Sequence, residues 1–282
     1  MTIYKSQDGE RAVQERYRAF LRYWPAANQQ LRVPTCEGET FIVACGEENA
    51  PPLLLLHGSG GNAAMWMGDV AAWAAHFRVY AVDMIGEPGL SAPSRPPLES
   101  EAHALWLDDV LQSLSLDRVS IVGISLGGWL ALDYATRRPD RVQSLALLCP
   151  GGVGRQLFGE IVLPPASSDL PPAIRKFLEF VTLVFENFNP RMEELPIFSD
   201  DALKRLTMPL MAILGGQDEL LDSAETRRRL ERHVPHTQVH YLPEARHVFR
   251  GQTAKILEFL LRVTNERELS RCSPAAQSQG IF

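Results

Sequence analysis

Cysteine is scarce in this sequence and long apolar stretches are missing, and each absence excludes a class of protein. The 282 residues include four cysteines, which are too few for a disulfide scaffold and lack the paired spacing of a metal site. No uncharged apolar run reaches the roughly 18 residues of a membrane helix, and the first residues lack the apolar core of a signal peptide. We therefore expect a reduced, cytoplasmic protein without membrane insertion.

Blocks of like charge are also missing. Lysine and arginine total 28 against 34 acidic residues, which gives a formal net charge of −6. The longest basic block, Arg227-Arg228-Arg229, lies between Glu225 and Glu231 in a helical stretch, as on a solvated helix face. We therefore expect no nucleic-acid partner. The sequence neither indicates nor excludes a homo-oligomer.

Short apolar runs alternate with amphipathic stretches from residue 53 onward. The predicted helices lie near 63–76, 101–115, 126–138, 222–233 and 252–263. The strands predicted between them are Leu53–Leu56, Val79–Val82, Val119–Val122, Ser144–Leu148, Leu210–Leu214 and Gln238–Tyr241. This alternation is typical of parallel βαβ units, so the expected fold is α/β with a doubly wound, mostly parallel sheet.

The pattern differs at both ends of the chain. A helix near 10–23 precedes a predicted edge hairpin of Leu31–Val33 and Phe41–Ala44, and the last residues are polar. The expected organisation is an N-terminal helical extension over 1–30, an α/β core over 31–150 and 208–265, a helical cap over 151–207 and a flexible tail over 266–282.

The predicted cap is inserted after the sixth strand and contains one amphipathic helix. Apolar residues recur at helical spacing from Ile174 to Phe188, with charged residues on the other faces. We expect this stripe to cover the carboxyl ends of the strands and to line a substrate pocket with Phe177, Val181, Phe185 and Phe188. Alternatively, the stripe only packs the cap onto the core and contacts no ligand.

One pentapeptide, Gly123-Ile124-Ser125-Leu126-Gly127, lies between a predicted strand and a predicted helix. A G-x-S-x-G pattern in this context forces the serine into a strained turn and lifts its hydroxyl above the sheet edge. The flanking positions need glycine, because side chains there would collide with the strand and helix that the turn brings together. We expect Ser125 to be a nucleophile; the alternative is an ordinary β-α turn with an exposed serine.

A serine hydroxyl needs a base, and the base needs an orienting acid. His247 follows the last predicted strand, at the sheet edge where α/β proteins bind ligands and in the chain order serine, acid, histidine. Asp218 follows Leu210–Leu214 and is the expected acid; Glu219 is a competitor, and Asp222 suits a helix N-cap better. No catalytic role is expected for the histidines on predicted helix surfaces, loops or strands, which are His76, His103, His233, His236 and His240.

Acyl transfer also needs an oxyanion hole. One backbone N–H is expected from Leu126, directly after the nucleophile. The second is expected from Ser59, because the loop His57-Gly58-Ser59-Gly60-Gly61-Asn62 follows a strand and its glycines let the backbone approach a substrate oxygen. We expect His57 to hold this loop by hydrogen bonding rather than to serve as the base.

Four motifs resemble those of the α/β-hydrolase fold superfamily. They are His57-Gly58-Ser59-Gly60, Gly123-Ile124-Ser125-Leu126-Gly127-Gly128, Gly216-Gln217-Asp218 and Arg246-His247. The resemblance runs from about residue 31 to 263, and within the superfamily the chain is most similar to small bacterial carboxylesterases with a short helical cap. The similar loop Asp83–Ser91 is one residue longer than the commonest version, and Arg246 stands where glycine usually precedes the histidine.

The resemblance implies hydrolysis of a small-molecule carboxylic ester with an apolar body, and no metal or organic cofactor. Ser125 would attack the acyl carbonyl, His247 would transfer the proton, and the N–H groups of Ser59 and Leu126 would hold the oxyanion. Water would then release the acid from the acyl-enzyme.

Two other functions use the same triad. The first is hydrolytic cleavage of a carbon–carbon bond, in which Arg155, Arg175 or Arg191 of the cap would hold a substrate carboxylate. The second is a receptor or sensor that binds a ligand and turns it over slowly. Because one fold supports several reactions, both alternatives stay open at the level of sequence.

Overall fold

An eight-stranded sheet organises the protein in a computed structural model that describes residues 3–157, 159, 169 and 171–272. The strands are β1 (Asn28–Thr35), β2 (Gly38–Cys45), β3 (Pro52–Leu56), β4 (Arg78–Val82), β5 (Val119–Ile124), β6 (Val142–Leu148), β7 (Leu210–Gly215) and β8 (Gln238–Leu242). Their order is β1-β2-β4-β3-β5-β6-β7-β8, in which β2 is antiparallel to both neighbours and every pair from β4 to β8 is parallel. The predicted doubly wound, mostly parallel sheet is confirmed.

Eight helices flank the sheet in the described part of the chain. They are α1 (Gln7–Leu21), α2 (Val70–Ala74), α3 (Ala102–Ser113), α4 (Leu126–Arg137), α5 (Pro172–Asn187), α6 (Asp200–Leu203), α7 (Ser223–His233) and α8 (Thr253–Cys272). The Asp222 carboxylate accepts the Glu225 N–H at 2.8 Å and caps α7, as predicted. None of these helices combines the length and apolar character needed to cross a membrane.

Two apolar cores lie on opposite faces of the sheet. Alternate residues of Leu53–Leu56 in β3 belong to different cores, because successive side chains of a strand point to opposite faces. One core contains Trp106 of α3 and Trp129 of α4, and the other contains Trp73 of α2 and Phe259 of α8. Each fully buried side chain of this kind stabilises the fold by about 1.5–3 kcal/mol. The central strands, and the loops at their carboxyl ends, are therefore firmly positioned.

The structure corrects the predicted helix over 63–76. A 3₁₀ helix (Ala63–Trp66) and the short α2 replace it, with Gly68 between them. Asn62 caps the 3₁₀ helix, and the Asp69 carboxylate accepts the Thr253 hydroxyl instead of capping α2. Asn62 thus fixes where the 3₁₀ helix begins, whereas Asp69 is engaged by Thr253 and leaves α2 without a side-chain cap. Helical periodicity alone did not indicate either contact.

The predicted end of the last helix at residue 263 is wrong. Helix α8 continues to Cys272, into the segment predicted as a tail. The sequence offers no helix breaker in this stretch, because Pro274 is the first proline after Pro243 and Gly280 the first glycine after Gly251. The rest of the predicted tail lies outside the described residues.

The N-terminal residues pack against α5. The Tyr17 ring stacks on Phe180 with centroids 6.3 Å apart, and the Phe20 ring lies 5.2 Å from the same side chain. The Lys5 N–H donates to the Asn187 carbonyl at 2.8 Å. The N-terminal segment therefore supports the helix of the predicted cap. Strand β1 begins within the N-terminal extension predicted over 1–30. Part of the cap predicted over 151–207 lies outside the described residues.

His103 is buried, which corrects its predicted place on a helix surface. Its side chain is 5% exposed and its ring lies edge-on to Trp129, with centroids 6.1 Å apart. Within the described chain, its Nδ1 has no hydrogen-bond partner. Burial, followed by the positive charges of Arg191 and Arg137, lowers the pKa of His103 to about 4. The imidazole is therefore neutral in the folded protein at neutral pH.

This buried imidazole predicts an acid-dependent loss of stability. His103 takes up a proton near pH 6.5 in the unfolded chain but only near pH 4 in the folded protein. As the pH falls from 6.5 towards 4, proton uptake therefore favours the unfolded chain, and the free energy of unfolding decreases. Between pH 7 and pH 5, the wild type should lose about 2 kcal/mol more unfolding free energy than His103→Gln. Urea unfolding at both pH values measures this difference. Exposed His76→Gln is the control and should track the wild type; equal losses in all three proteins would contradict the prediction.

Candidate active site

Ser125 occupies a strained turn between β5 and α4. Its backbone has φ 54° and ψ −113°, a region that residues other than glycine rarely adopt. The Ser125 N–H donates to the Leu148 carbonyl at 2.9 Å, which ties the turn to the neighbouring strand. A methyl group at Gly127 would overlap the carbonyl oxygens of Leu56 and His57. The turn therefore needs glycine there, and the predicted strand–turn–helix context is confirmed.

Three predicted residues meet in one hydrogen-bonded chain. The Ser125 Oγ and His247 Nε2 are 2.9 Å apart, and the His247 Nδ1 and Asp218 Oδ2 are 2.8 Å apart. The three residues follow β5, β7 and β8, whose carboxyl ends share one sheet edge. His247 is buried, with 3% of its surface exposed. The arrangement can move a proton from the hydroxyl to the imidazole while a carboxylate stabilises the resulting cation.

Asp218 is held in its ionised form by several donors. Its Oδ1 accepts the N–H groups of Leu220 and Leu221 at 2.8 and 2.9 Å. Burial raises the pKa of the Asp218 carboxyl, but the hydrogen bond and charge of His247 and these two N–H groups outweigh it, so the pKa lies below its usual value. The carboxylate is therefore fixed in position and charged at neutral pH.

Glu219 and Arg246 support the histidine loop from outside. The Glu219 Oε2 accepts the His247 N–H at 3.2 Å, and the Arg246 guanidinium lies 3.2 Å from Glu219 Oε1. Burial raises the pKa of Glu219, but hydrogen bonds from its own N–H, from His247 and from Arg246 bring it below the usual value. Arg246, which stands where glycine is usual, thus forms an ion pair with Glu219, the alternative candidate for the acid. Together the two residues stabilise the histidine loop.

The glycine-rich loop after β3 lies against Ser125. Ser59 lines the same cavity as Ser125, and Leu126 is the first residue of α4, where N–H groups lack acceptors within the helix. The His57 Nε2 accepts the Met84 N–H at 3.0 Å, and its Nδ1 bonds the Gly58 carbonyl at 2.8 Å. Burial lowers the pKa of His57 to about 4. The predicted role of His57 in holding the loop is confirmed.

A cavity of about 450 Å³ opens beside Ser125 and His247. Helix α5 contributes Phe177, Val181 and Phe185 to its wall, as predicted. It also contributes two residues that the sequence analysis missed, Phe180 and Val184. The apolar stripe of α5 therefore both packs on the protein and faces a site where a ligand can bind.

Phe188 does not line this cavity, which corrects its predicted role. Its side chain is fully buried, and its ring meets the Tyr4 ring edge-on with centroids 6.1 Å apart. The Arg95 guanidinium lies 5.1 Å above the same ring. Phe188 follows the end of α5 and is turned towards the N-terminal segment, a contact that helical spacing could not indicate.

Most of the remaining wall comes from segments without a recognisable motif. The apolar members outside α5 that the sequence analysis did not assign to the site include Met65, Trp66, Trp73, Phe249 and Ile256. They belong to the 3₁₀ helix, α2, the histidine loop and α8. The sequence analysis places each in an ordinary helix or loop, because its role depends on tertiary packing and leaves no local pattern.

The arginines considered as carboxylate ligands are engaged away from the cavity. Arg155, Arg175 and Arg191 pair with Asp222, Glu179 and Glu193 respectively. The arginine in the cavity wall is instead Arg250, whose guanidinium lies 5.2 Å from the centre of the Phe177 ring. The structure therefore does not bring the predicted arginines together with Ser125.

One group of potential metal ligands overlaps this site. Within the described residues, Cys149, Asp218 and His247 place ligand atoms within 4.8 Å of one another. Burial and the nearby carboxylates hold the pKa of the Cys149 thiol well above its usual range. A neutral thiol is a poor metal ligand, and His247 and Asp218 already bond each other. The donor set therefore suits proton transfer better than metal binding.

The parallel sheet and the serine–histidine–aspartate chain at its carboxyl edge define the α/β-hydrolase class. Residues 51–192, half of the chain, match the family described as the alpha/beta hydrolase fold. The chain belongs to this family.

Similar proteins include carboxylesterases of Bacillus subtilis. The uncharacterized carboxylesterase nap of strain 168 is 29% identical, over 90% of this chain and 93% of its own length. The crystal structure of naproxen esterase (carboxylesterase NP) is 27% identical with a TM-score of 0.75, covering 93% of this chain and all of that one. The crystal structure of carboxylesterase CesB (YbfK) is 26% identical with a TM-score of 0.72, covering 95% of this chain and all of that one. The chain thus resembles small bacterial carboxylesterases.

Proposed function

We propose that the protein is a serine hydrolase that cleaves carboxylic esters of small, apolar molecules. The observation that carries the proposal is the chain from Ser125 Oγ through His247 to Asp218, with separations of 2.9 and 2.8 Å, beside a largely apolar cavity. The carboxylesterase names of the similar Bacillus proteins support the same reaction.

Acylation uses the groups around Ser125. As Ser125 Oγ attacks the ester carbonyl carbon, its proton passes to His247 Nε2, and Asp218 stabilises the imidazolium. Negative charge develops on the carbonyl oxygen, to which the N–H groups of Ser59 and Leu126 donate. When the tetrahedral intermediate collapses, the C–O bond breaks and His247 gives its proton to the leaving alcohol.

Deacylation repeats these steps with water. His247 takes a proton from the water as its oxygen attacks the acyl carbon, and returns the proton to Ser125 Oγ as the acid leaves. Both half-reactions balance with the groups of this chain and one water molecule. The buried position of His247, which is 3% exposed, limits competing contact with bulk water.

Hydrolysis of p-nitrophenyl esters from acetate to decanoate tests the proposal. We expect turnover by the wild type and a loss of at least about 10⁴-fold in Ser125→Ala, with the optimum chain length set by the cavity of about 450 Å³. Absence of serine-dependent turnover across the series, from folded protein, would refute ester hydrolysis. It would move the assignment to carbon–carbon cleavage or to ligand sensing.

The structure offers less support for those alternatives. For carbon–carbon hydrolysis, a cap arginine would have to hold the substrate carboxylate. The candidate arginines instead pair with Asp222, Glu179 and Glu193. A receptor needs no proton relay, whereas the full relay is assembled here. The cap over 151–207, the absence of a nucleic-acid partner and the cytoplasmic location stay predictions from the sequence.

Val181→Phe tests whether the wall formed by α5 selects the substrate. The larger ring should fill part of the cavity, so kcat/KM for the decanoate ester should fall about tenfold, while that for acetate changes little. Thr182→Ala, on the exposed side of the same helix, is the control. An equal fall for acetate and decanoate would show that Val181 does not discriminate by chain length.

A further inference from the structure

Two loops at the site are joined through a buried carboxylate. The Glu87 Oε2 accepts the Gly60 N–H at 2.6 Å, and the Asn62 side chain donates to the Pro88 carbonyl at 3.0 Å. Glu87 belongs to the loop Asp83–Ser91, whereas Gly60 and Asn62 belong to the glycine-rich loop beside Ser125. The first bond joins a carboxylate to a backbone N–H, and such bonds are shorter and stronger than neutral ones.

Glu87 is buried deeply for a charged residue, with only 3% of its surface exposed. Gly86 directs the chain inward: its φ is +71°, and a side chain there would overlap Ser94 and Arg95. Burial raises the pKa of Glu87 to about 7, against the lowering effects of the Gly60 N–H and of the Arg95 and Arg191 charges. Burying a carboxylate costs desolvation free energy, which its hydrogen bond from the Gly60 N–H offsets in part. An apolar side chain could not accept this bond.

The titratable groups that face Glu87 come from three segments. Arg95 bonds the Gly86 carbonyl at 2.9 Å and the Asn189 carbonyl at 2.7 Å, so it links the loop to the residues after α5. Arg191 pairs with Glu193 in the stretch after α5. In the N-terminal segment, burial is the main cause that raises the pKa of the Tyr4 hydroxyl, and the negative charges of Glu10, Asp83 and Glu87 add to it. Two positive charges, from Arg95 and Arg191, therefore favour the ionised form of Glu87.

We propose that Glu87 is a positioning residue for the oxyanion hole, because its carboxylate holds the Gly60 N–H and so aims the Ser59 N–H at the substrate oxygen. The inference rests on the proposed function of the same site. Glycine-rich backbone has the most freedom to lose, and here Gly58, Gly60 and Gly61 surround a single serine. Because the Gly60 N–H is bonded to Glu87, the donor of this loop that the proposed reaction uses is the Ser59 N–H.

Protonation of Glu87 should weaken this restraint. The carboxylate is the better acceptor, so the oxyanion loop is held best above the pKa of Glu87, about 7, and less well as the pH falls through it. The wild type should therefore show the ionisation of Glu87 on the acidic side of its kcat profile. A variant with a neutral acceptor at position 87 should lack that ionisation.

Glu87→Ala and Glu87→Gln test the proposal on p-nitrophenyl butyrate. In Glu87→Ala, kcat should fall about 10–100-fold while KM changes little, because a displaced oxyanion donor affects the transition state rather than substrate binding. Glu87→Gln keeps an acceptor of the same length, so it should restore much of kcat and lose one ionisation from the pH profile. The surface variant Glu231→Gln, which alters a carboxylate paired with Arg227, is the control.

A trifluoromethyl ketone separates positioning from general stability. Ser125 Oγ adds to its carbonyl carbon, His247 takes the proton, and the resulting oxyanion occupies the hole. Its affinity should fall in Glu87→Ala in proportion to kcat/KM, because the adduct carries the negative charge that the oxyanion hole stabilises.

Two results would overturn the inference and leave ester hydrolysis intact. One is unchanged kcat in Glu87→Ala; the other is a pH profile of Glu87→Gln identical to that of the wild type. A wild type without Ser125-dependent turnover would instead remove the proposed function itself. Thermal unfolding of both variants shows whether they are folded. If Glu87→Ala does not fold, Glu87→Gln decides the outcome, because it preserves the shape of the side chain.

Discussion

Ser125→Ala is expected to lower kcat for p-nitrophenyl butyrate by at least about 10⁴-fold, to the level left by the oxyanion hole and binding alone. The loss is expected because the substitution removes the nucleophilic hydroxyl, whose Oγ lies 2.9 Å from His247 Nε2. Stability should change little. Alanine has the same Cβ as serine and meets the same strain at φ 54°.

A matched control exists for this backbone strain. Ser115 also has a positive φ, 56°, and it lies two residues after the end of α3 rather than among the residues that line the cavity. Ser115→Ala should keep wild-type turnover, and both variants should show similar thermal unfolding. Covalent labelling with a fluorophosphonate, read by mass spectrometry, should occur in the wild type and Ser115→Ala only. Wild-type hydrolysis by Ser125→Ala would disprove the assignment of the nucleophile.

The residues of the hydrogen-bonded chain were predictable because their signals are local. Ser125 lies in a turn whose glycines are required by close backbone approach, and Asp218 and His247 each follow a short apolar strand. In a parallel sheet, the carboxyl ends of neighbouring strands meet at one edge. Strand order and chain position were therefore enough to predict that the three side chains come together, and the structure has them hydrogen-bonded.

Side chains that act through distant contacts were harder to predict. Phe188 belongs to the same apolar stripe as Phe177, yet the N-terminal segment covers it, and nothing in the local pattern signals that contact. His103 is predicted on a surface because helix periodicity does not reveal how much of the opposite face is buried. Glu87 is part of an unusually long loop, and only the structure shows its bond to Gly60.

Asp218→Asn is expected to lower kcat by about 10⁴-fold while leaving the fold intact. The oxygen of the substituted amide would still accept the N–H groups of Leu220 and Leu221, which now bond the aspartate at 2.8 and 2.9 Å. The NH₂ group of that amide would then face His247 Nδ1 and donate to it. The imidazole would be forced into the tautomer with the proton on Nε2, which cannot accept the proton of Ser125.

Two neighbouring carboxylates provide the controls for this prediction. Glu219→Gln keeps an acceptor for the His247 N–H and loses only the charge that pairs with Arg246, so its effect on kcat should be small. Asp222→Asn keeps a good N-cap for α7, and any effect should appear in stability, not turnover. The tautomer argument requires that Asp218→Asn be the most damaging of the three. A larger loss of kcat in Glu219→Gln would transfer the role of orienting acid to Glu219, because only the residue that sets the His247 tautomer can control proton transfer from Ser125.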